Sequence, residues 1–368
     1  MHARLWGAVR VVAAVSLAVG LGACGQSDES GGSGENASGK QLKIGLLLPG
    51  YGGATRWAQF DKPLVEAKIK DLCGDCTVAY ADAGLNAARQ QQQAEAMIIK
   101  GVDVLILASV NSETIRSTIN KAHEADIPVV AYDHLAEGPI SAYVGFDARR
   151  IGELQGEALL KALGDRAHDS QIVMMNGDPI NPDAREFKMG ALSVLEGKVK
   201  IGKAYDTPGW EIETAHGNMT DAVADLGADR VDGVYAANDW LASGVISALK
   251  AAHIKPLPPV VGQDAILSAL QRIVSGEQYM TVYKPYKLQA GAAVEMALAL
   301  GRGEGLDRIA KDTVSSPTTE DIPAVVLTPV AVTRHNIKDT VVKDGLYTID
   351  QICTPEVKRA CDEAGLTS

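Results

Sequence analysis

The chain predicts an α/β protein of two lobes, each an open, largely parallel sheet covered by helices. Three observations carry this. Short β-branched runs alternate with helical patterns almost throughout the sequence. The runs are apolar on both faces, as strands must be when helices cover each side of a sheet. Ten of them occur before residue 285, more than one open sheet usually holds.

The first series of strands is expected at Lys43–Pro49, Thr77–Ala81, Val102–Ala108, Pro128–Asp133 and Ala142–Asp147. The second is expected at Gln171–Asn176, Lys198–Tyr205, Val231–Asn238, Pro259–Asp264 and Met280–Lys284, with a late strand at Ala324–Val332. Between them, Leu64 to Leu72 is helical in pattern, and Ile115, Ile119 and Ala122 form one helical stripe. Ile266, Leu270 and Ile273 form another, closed by Gly276 as a C-cap. The two series part near Gly145–Ala148, where a long helix from Arg149 to Leu163 begins. It turns Ile151, Leu154, Ala158 and Ala162 inward, and Gly152 and Gly156 permit close packing. Strand–helix alternation with short loops implies right-handed crossovers.

The ends of the chain bear on its compartment. Arg4 and Arg10 flank an apolar run, Val11 to Leu21, too short to span a bilayer comfortably. The run ends in Leu21-Gly22-Ala23-Cys24, which resembles a bacterial lipobox. Residues 1–23 therefore read as a lipoprotein signal peptide and Cys24 as the lipidated residue, anchored by buried CH₂ groups. Residues 24–40, rich in Gly, Ser, Asn and Glu, read as a flexible tether. Four cysteines remain, an even number outside the cytoplasm, and read as local disulfides Cys73–Cys76 and Cys353–Cys361. A redox Cys-x-x-Cys would open a helix, whereas Cys73 follows one. A four-thiolate zinc site fits in ligand type, but the second pair is too widely spaced for a zinc knuckle.

Removing residues 1–23 takes away two arginines and no acid, so the net charge moves from −11 to −13. Such a surface opposes nucleic acid and anionic lipid. No later segment is apolar enough to cross a membrane.

In open parallel sheets, ligands sit beyond the carboxyl ends of the strands. Polar and aromatic residues recur there: Arg56 and Trp57, Asp133 and His134, the loop Asp178 to Asp183 with Asn181, Trp210, Asn238-Asp239, Gln263-Asp264, and Lys284. Hydroxyls of a monosaccharide both donate and accept, which suits Asp, Asn, Arg and Lys, and its C–H faces suit flat aromatic plates. With only three Phe and four Trp in the chain, Trp57 and Trp210 are conspicuous as plates from opposite lobes. Trp240 suits either that role or a core gap. Asp133, Asn238 and Asp264 also suit helix N-caps, and Asp239 reads as the better cap of its pair.

Catalytic signals are weak. Gly20 to Gly25 fits G-x-G-x-x-G but follows no strand. There is no Walker A loop or H-E-x-x-H, and His123-Glu124 lacks a second histidine. No enzyme, cofactor or metal is expected. A transcription-regulator core would need an N-terminal helix-turn-helix and a basic face. A glycoside-processing enzyme would use Asp133 and Asp264 as its carboxylate pair. A sensor feeding a membrane receptor stays compatible with simple ligand capture.

At these residues the sequence resembles the periplasmic-binding-protein-like (type I) sugar receptors of bacterial ABC importers. The resemblance runs from about Leu42 to Tyr347 and is carried by Thr55-Arg56-Trp57, Gly101 to Leu105, Ala131-Tyr132-Asp133, Gly262 to Ala265 and Met280 to Pro285. Asn336 to Val341 with Lys343-Asp344-Gly345 adds to it. It implies two Rossmann-like lobes with parallel sheets joined by three hinge crossings. Lobe 1 would comprise residues 41–146 plus 281–322, lobe 2 residues 147–280 plus 323–350, with 351–368 as a C-terminal tail. It implies sugar contacts at Arg56, Trp57, Asp133, Trp210, Asn238, Asp264 and Lys284; His134, Asn181 and Asp183 are expected to join them. Two places depart from the family pattern: His134 stands where Arg is usual, and Asn181-Pro182-Asp183 reverses the usual Asp-x-Asn. The ligand expected is D-xylose or a related pentose or hexose. The expected partners are an ABC permease with its ATPase and, through the lipid anchor, the membrane; the chain is expected to be a monomer at the outer face of the cell membrane.

Overall fold

The computed structural model describes residues 41–50 and 56–367. The expected signal peptide, Cys24 lipidation site and tether, and Thr55 of the first motif, lie outside the described residues. No helix among the described residues is long and apolar enough to cross a membrane.

Two sheets organise the chain. The first contains β1 (Lys43–Leu48), β2 (Thr77–Asp82), β3 (Val104–Leu107), β4 (Val129–Tyr132) and β5 (Ala142–Phe146). The second contains β6 (Gln171–Met175), β7 (Lys200–Tyr205), β8 (Gly233–Ala236), β9 (Val260–Val261) and β10 (Met280–Tyr283). Later strands β11 (Asp312–Ser316) and β12 (Thr319–Leu327) extend the first sheet, and β13 (Val330–Thr333) extends the second. The spatial orders are β11-β12-β5-β4-β3-β1-β2 and β13-β10-β9-β8-β6-β7. Pairing is parallel except for β11 with β12 and β13 with β10.

The central strands β3, β4, β5, β6 and β8 are buried at every residue, because helices cover both faces. The two-residue period sorts their side chains. Leu46, Leu48, Val104, Ile106, Val130 and Tyr132 enter one core of the first lobe, while Leu47, Leu105, Leu107, Val129 and Ala131 enter the core on the opposite face. The first face is covered by α1 (Lys62–Leu72) and, much later in sequence, by the chain after β10; the second by α2 (Ala87–Ile99) and α3 (Arg116–Glu124).

In the second lobe, α4 (Ala148–Leu163) lies against α5 (Pro182–Leu195) with almost no gap. A Cβ on Gly152 would sit 2.0 Å from the Phe187 carbonyl oxygen, and one on Gly190 2.0 Å from that of Arg149. Both positions are therefore closed to any other residue. The lobe is completed by α6 (Ile212–Leu226), α7 (Asp239–Ala251) and α8 (Leu267–Ser275), the last ended by Gly276 at φ 81° as its left-handed cap.

The chain passes between the sheets three times. Asp147 follows β5 and N-caps α4, accepting from Arg150 N–H at 2.9 Å. Lys284-Pro285 leads from β10 to α9 (Tyr286–Gly301), which packs on the first sheet. Thr328-Pro329 leads from β12 to β13. The second and third crossings thus differ from the expected lobe boundaries at 280/281 and 322/323, which fall inside β10 and β12. Backbone pairing holds each strand in its sheet to the end: Tyr283 pairs with Val330, and Leu327 with Phe146. The single late strand expected at Ala324–Val332 is two strands in different sheets, because Pro329 has no N–H to continue a ladder. The hairpin strand β11 has no counterpart in the sequence reading; its residues, Asp312-Thr-Val-Ser-Ser, are mostly exposed and lack an apolar run.

The C-terminal segment folds onto α8 and β10 as a small core that includes Ile337, Val341, Tyr347, Ile352, Cys361 and Leu366. Two short helices, α10 (Ile349–Ile352) and α11 (Lys358–Glu363), are tied by the disulfide Cys353–Cys361, with Cα atoms 5.9 Å apart. Cys73 and Cys76 are bonded at the end of α1, with Cα atoms 5.3 Å apart.

Candidate functional site

The carboxyl ends of the strands in both sheets converge on one cleft between the lobes. All ten expected binding residues line it: Arg56, Trp57, Asp133, His134, Asn181, Asp183, Trp210, Asn238, Asp264 and Lys284. The cleft also takes in Trp240, Gln263 and Phe187.

The first lobe supplies a rigid cationic corner. Arg56 is held by a fork of two bonds to Asp133, Nη1–Oδ2 at 2.9 Å and Nη2–Oδ1 at 2.8 Å. Its Nε donates to Asp61 at 3.1 Å and its Nη2 to Gln289 Oε1 at 2.9 Å. The guanidinium lies between the rings of Trp57 and Tyr286, 4.4 and 4.5 Å from their centroids. Asp61 is in turn bonded by Tyr132 Oη at 2.5 Å, and Gln289 Nε2 donates to Asp133 at 2.9 Å. Burial works against charge on Asp133, but Arg56 and then Lys284 overcome it and hold the carboxyl far below the usual carboxylate range. Asp61 and Gln289 went unread in the sequence. They sit inside helical patterns, and only the return of α9 to the first sheet brings residue 289 beside residue 133.

His134 follows Asp133 directly. Its Nδ1 lies 2.6 Å from the Ser109 carbonyl oxygen, which can only accept, so Nδ1 carries the proton and Nε2 faces the cleft as an acceptor. Burial lowers its pKa and keeps the ring neutral. Trp57 meets the His134 ring edge-on at 5.6 Å.

The second lobe supplies its groups from five loops. Asn181 N-caps α5: its Oδ1 accepts from the backbone of Asp183 and Ala184 at 2.9 and 3.1 Å. That commits the amide oxygen and turns Nδ2 to His134 Nε2, 3.4 Å away across the cleft. Asp178 does not line this cleft; it fixes the loops, accepting from Ile180 N–H and Gly209 N–H. Trp210 presses on the backbone at Gly177, where a Cβ would lie 2.1 Å from its ring.

After β8, Asn238 is the N-cap of α7, accepting from Leu241 N–H at 2.9 Å, and also lines the cleft. The sequence reading preferred Asp239 as the cap. Asp239 instead is fully buried and accepts from Thr281 Oγ1, Gln278 Nε2 and Ile266 N–H, tying the loop after β9 to β10. Gln263 gives its Nε2 to the Ala237 carbonyl, and its Oε1 has no partner among the described residues. Asp264 pairs with Lys284 Nζ at 2.7 Å. Phe187 was missed because a phenylalanine on the inner face of a helix reads as core.

Three non-glycine residues at the cleft hold left-handed backbone: Asp133 at φ 64°, Trp210 at φ 55° and Asp264 at φ 96°. Such strain concentrates at ligand sites, where the surrounding structure over-determines it.

Among the described residues, two clusters have metal-ligand chemistry. Cys73, Asp75 and Cys76 cannot offer thiolates, since the cysteines are bonded to each other. Asp133, His134 and Asp183 bring ligand-type atoms within 4.8 Å of one another, but the Arg56 and Lys284 cations act on the same space and oppose a further cation.

The chain matches the family described as periplasmic binding protein domain over residues 44–305. It is 35% identical over 317 residues to the D-xylose-binding periplasmic protein of Escherichia coli (strain K12), covering 84% of this chain and 92% of that protein. It is 30% identical over 334 residues to the multiple sugar-binding periplasmic receptor ChvE of Rhizobium radiobacter, with 84% and 92% covered. Among solved structures, an ABC transporter solute binding protein from Clostridium phytofermentans with bound β-D-glucose superposes with a TM-score of 0.77 at 29% identity, covering 84% of this chain and 99% of that one.

Proposed function

Because this chain belongs to the periplasmic binding protein family, we propose that it captures a neutral monosaccharide between its lobes and delivers it to an ABC importer. It is a binding protein and not an enzyme. D-xylose or a related pentose or hexose is the ligand the relatives favour.

The observation that carries this reading is the charge balance of the cleft. Among the described residues, each cation lining it is already paired, Arg56 with Asp133 and Lys284 with Asp264. A sugar acid or sugar phosphate would find no spare positive charge, whereas a neutral polyol can bond to groups whose orientation is fixed beforehand. Trp57 and Trp210, from opposite lobes, supply plates for its C–H faces. Ligand contacts made by both lobes favour the closed arrangement, which is the form an importer reads.

Cys24, with its small-residue approach, supports a lipid anchor that keeps the protein, as a monomer, at the outer face of the bacterial membrane. A thermal-shift screen of the mature chain tests the ligand class. Neutral pentoses or hexoses raise Tm, while uronates and sugar phosphates leave it unchanged. A shift with the charged sugars and none with the neutral ones sinks the reading.

A further inference from the structure

We propose that Asp183 binds the ligand as a neutral carboxylic acid, and that closing the lobes takes up the proton it carries. The inference rests on reading the cleft as a sugar site. Asp183 stands in the first turn of α5, where its backbone N–H is held by Asn181 Oδ1 at 2.9 Å. Its carboxyl forms no hydrogen bond with any described residue. It faces the first lobe, where the Asp133 carboxylate and the His134 imidazole approach it within 4.8 Å.

The charged and titratable groups acting on it are Asp133, His134 and Tyr143 from the first lobe, Arg56 ahead of α1, Lys284 at the second crossing, and Glu186 on its own helix. The two cations are committed to Asp133 and Asp264. The helix N-terminus favours an anion, but the partial burial of Asp183 first and the nearby Asp133 carboxylate second outweigh it and push the Asp183 carboxyl up to about 8. A neutral acid has one O–H to give and one carbonyl to receive. Beside it, His134 Nε2 only accepts. With that lone pair turned to Asn181 Nδ2, a ligand hydroxyl beside Asp183 accepts from its O–H or donates to its carbonyl oxygen.

The two carboxyls belong to different lobes, so separating the lobes removes Asp133 from Asp183 and wets the acid, which then ionises in the ordinary range. A value raised in the closed form strengthens binding fully at low pH and loses that contribution as pH rises towards about 8.

The test is calorimetry of the full mature chain with D-xylose as probe, or the tightest neutral sugar of the thermal screen, from about pH 6.5 to about pH 9 in two buffers of different ionisation heat. The wild type is expected to lose affinity by up to about tenfold per pH unit until about pH 8, then level off, with nearly one proton taken up per sugar near neutrality. Asp183→Asn, whose amide offers the same donor and acceptor, is expected to bind well, with a flat profile above neutrality and no proton uptake. A flat wild-type profile, an unchanged slope in Asp183→Asn, or a folded Asp183→Asn that fails to bind would each overturn the proposal. If that variant does not fold, proton uptake by the wild type decides alone. Failure of every neutral sugar defeats the reading of the cleft and this inference together, whereas binding without the slope defeats only the inference.

Discussion

His134 and Asn181 face each other across the cleft with fixed and opposite roles, the amide Nδ2 donating towards a ring Nε2 3.4 Å away. Each role is set from behind, by the Ser109 carbonyl on one side and the N-terminus of α5 on the other. Protonating His134 turns its Nε2 into a donor aimed at another donor. Its pKa is lowered by burial in the closed form, so this contribution to closure is present above the ordinary histidine range and is lost as pH falls through it. In Asp183→Asn, where no acid at that position strengthens binding at low pH, sugar affinity is expected to weaken below about pH 6. Adding His134→Gln, which cannot titrate, should remove that acid limb in calorimetry extended to about pH 5.

Asp133→Ala removes the fork that neutralises Arg56. The arginine would keep Asp61 and Gln289 but remain buried with an unmatched charge. The expected loss is about 3 kcal/mol of stability, from the range for breaking a buried pair, together with loss of measurable sugar binding. Arg56→Lys should also fail, because an ammonium cannot form the fork or lie flat between Trp57 and Tyr286. Denaturant melts and titrations of both variants check this.

Trp57→Ala and Trp57→Phe separate stacking from simple filling. A plate against the sugar is worth about 1 kcal/mol beyond its buried area, so the alanine variant should weaken Kd by ten- to a hundredfold, roughly, and phenylalanine by much less. Equal affinity in wild type and both variants would mean that the ring only fills space.

Asp239→Ala tests the buried acid that joins α7, β10 and the loop carrying Asp264. Three donors would lose their acceptor, at a cost of about 3 kcal/mol in stability, seen as a lower Tm. Because Asp239 does not line the cleft, sugar affinity should fall only modestly at temperatures where the variant is folded.

The site was legible because a parallel sheet exposes its strand ends on one side, so polar residues at those ends identify themselves without knowledge of their partners. The second tier was not. Asp61 and Gln289 steer Arg56 from within helices, and nothing local marks an acid or amide on a helix as a neighbour of residue 56. Asn238 and Asp239 were exchanged for a related reason. Either side chain can cap α7, and the choice is made by Thr281 and Gln278, distant residues that claim Asp239. The strand ladder misled once, at Ala324–Val332, where apolar continuity hid a change of sheet at Pro329.

The most direct test is calorimetric titration of the mature, disulfide-intact chain with D-xylose and a panel of neutral pentoses and hexoses. One or more should bind with a Kd of about micromolar, near −8 kcal/mol, and that binding should vanish in Asp133→Ala. A folded wild-type chain that binds none of them would show that side chains from two lobes can gather in one crevice without a hydroxyl-rich guest to hold it shut, and would contradict the account.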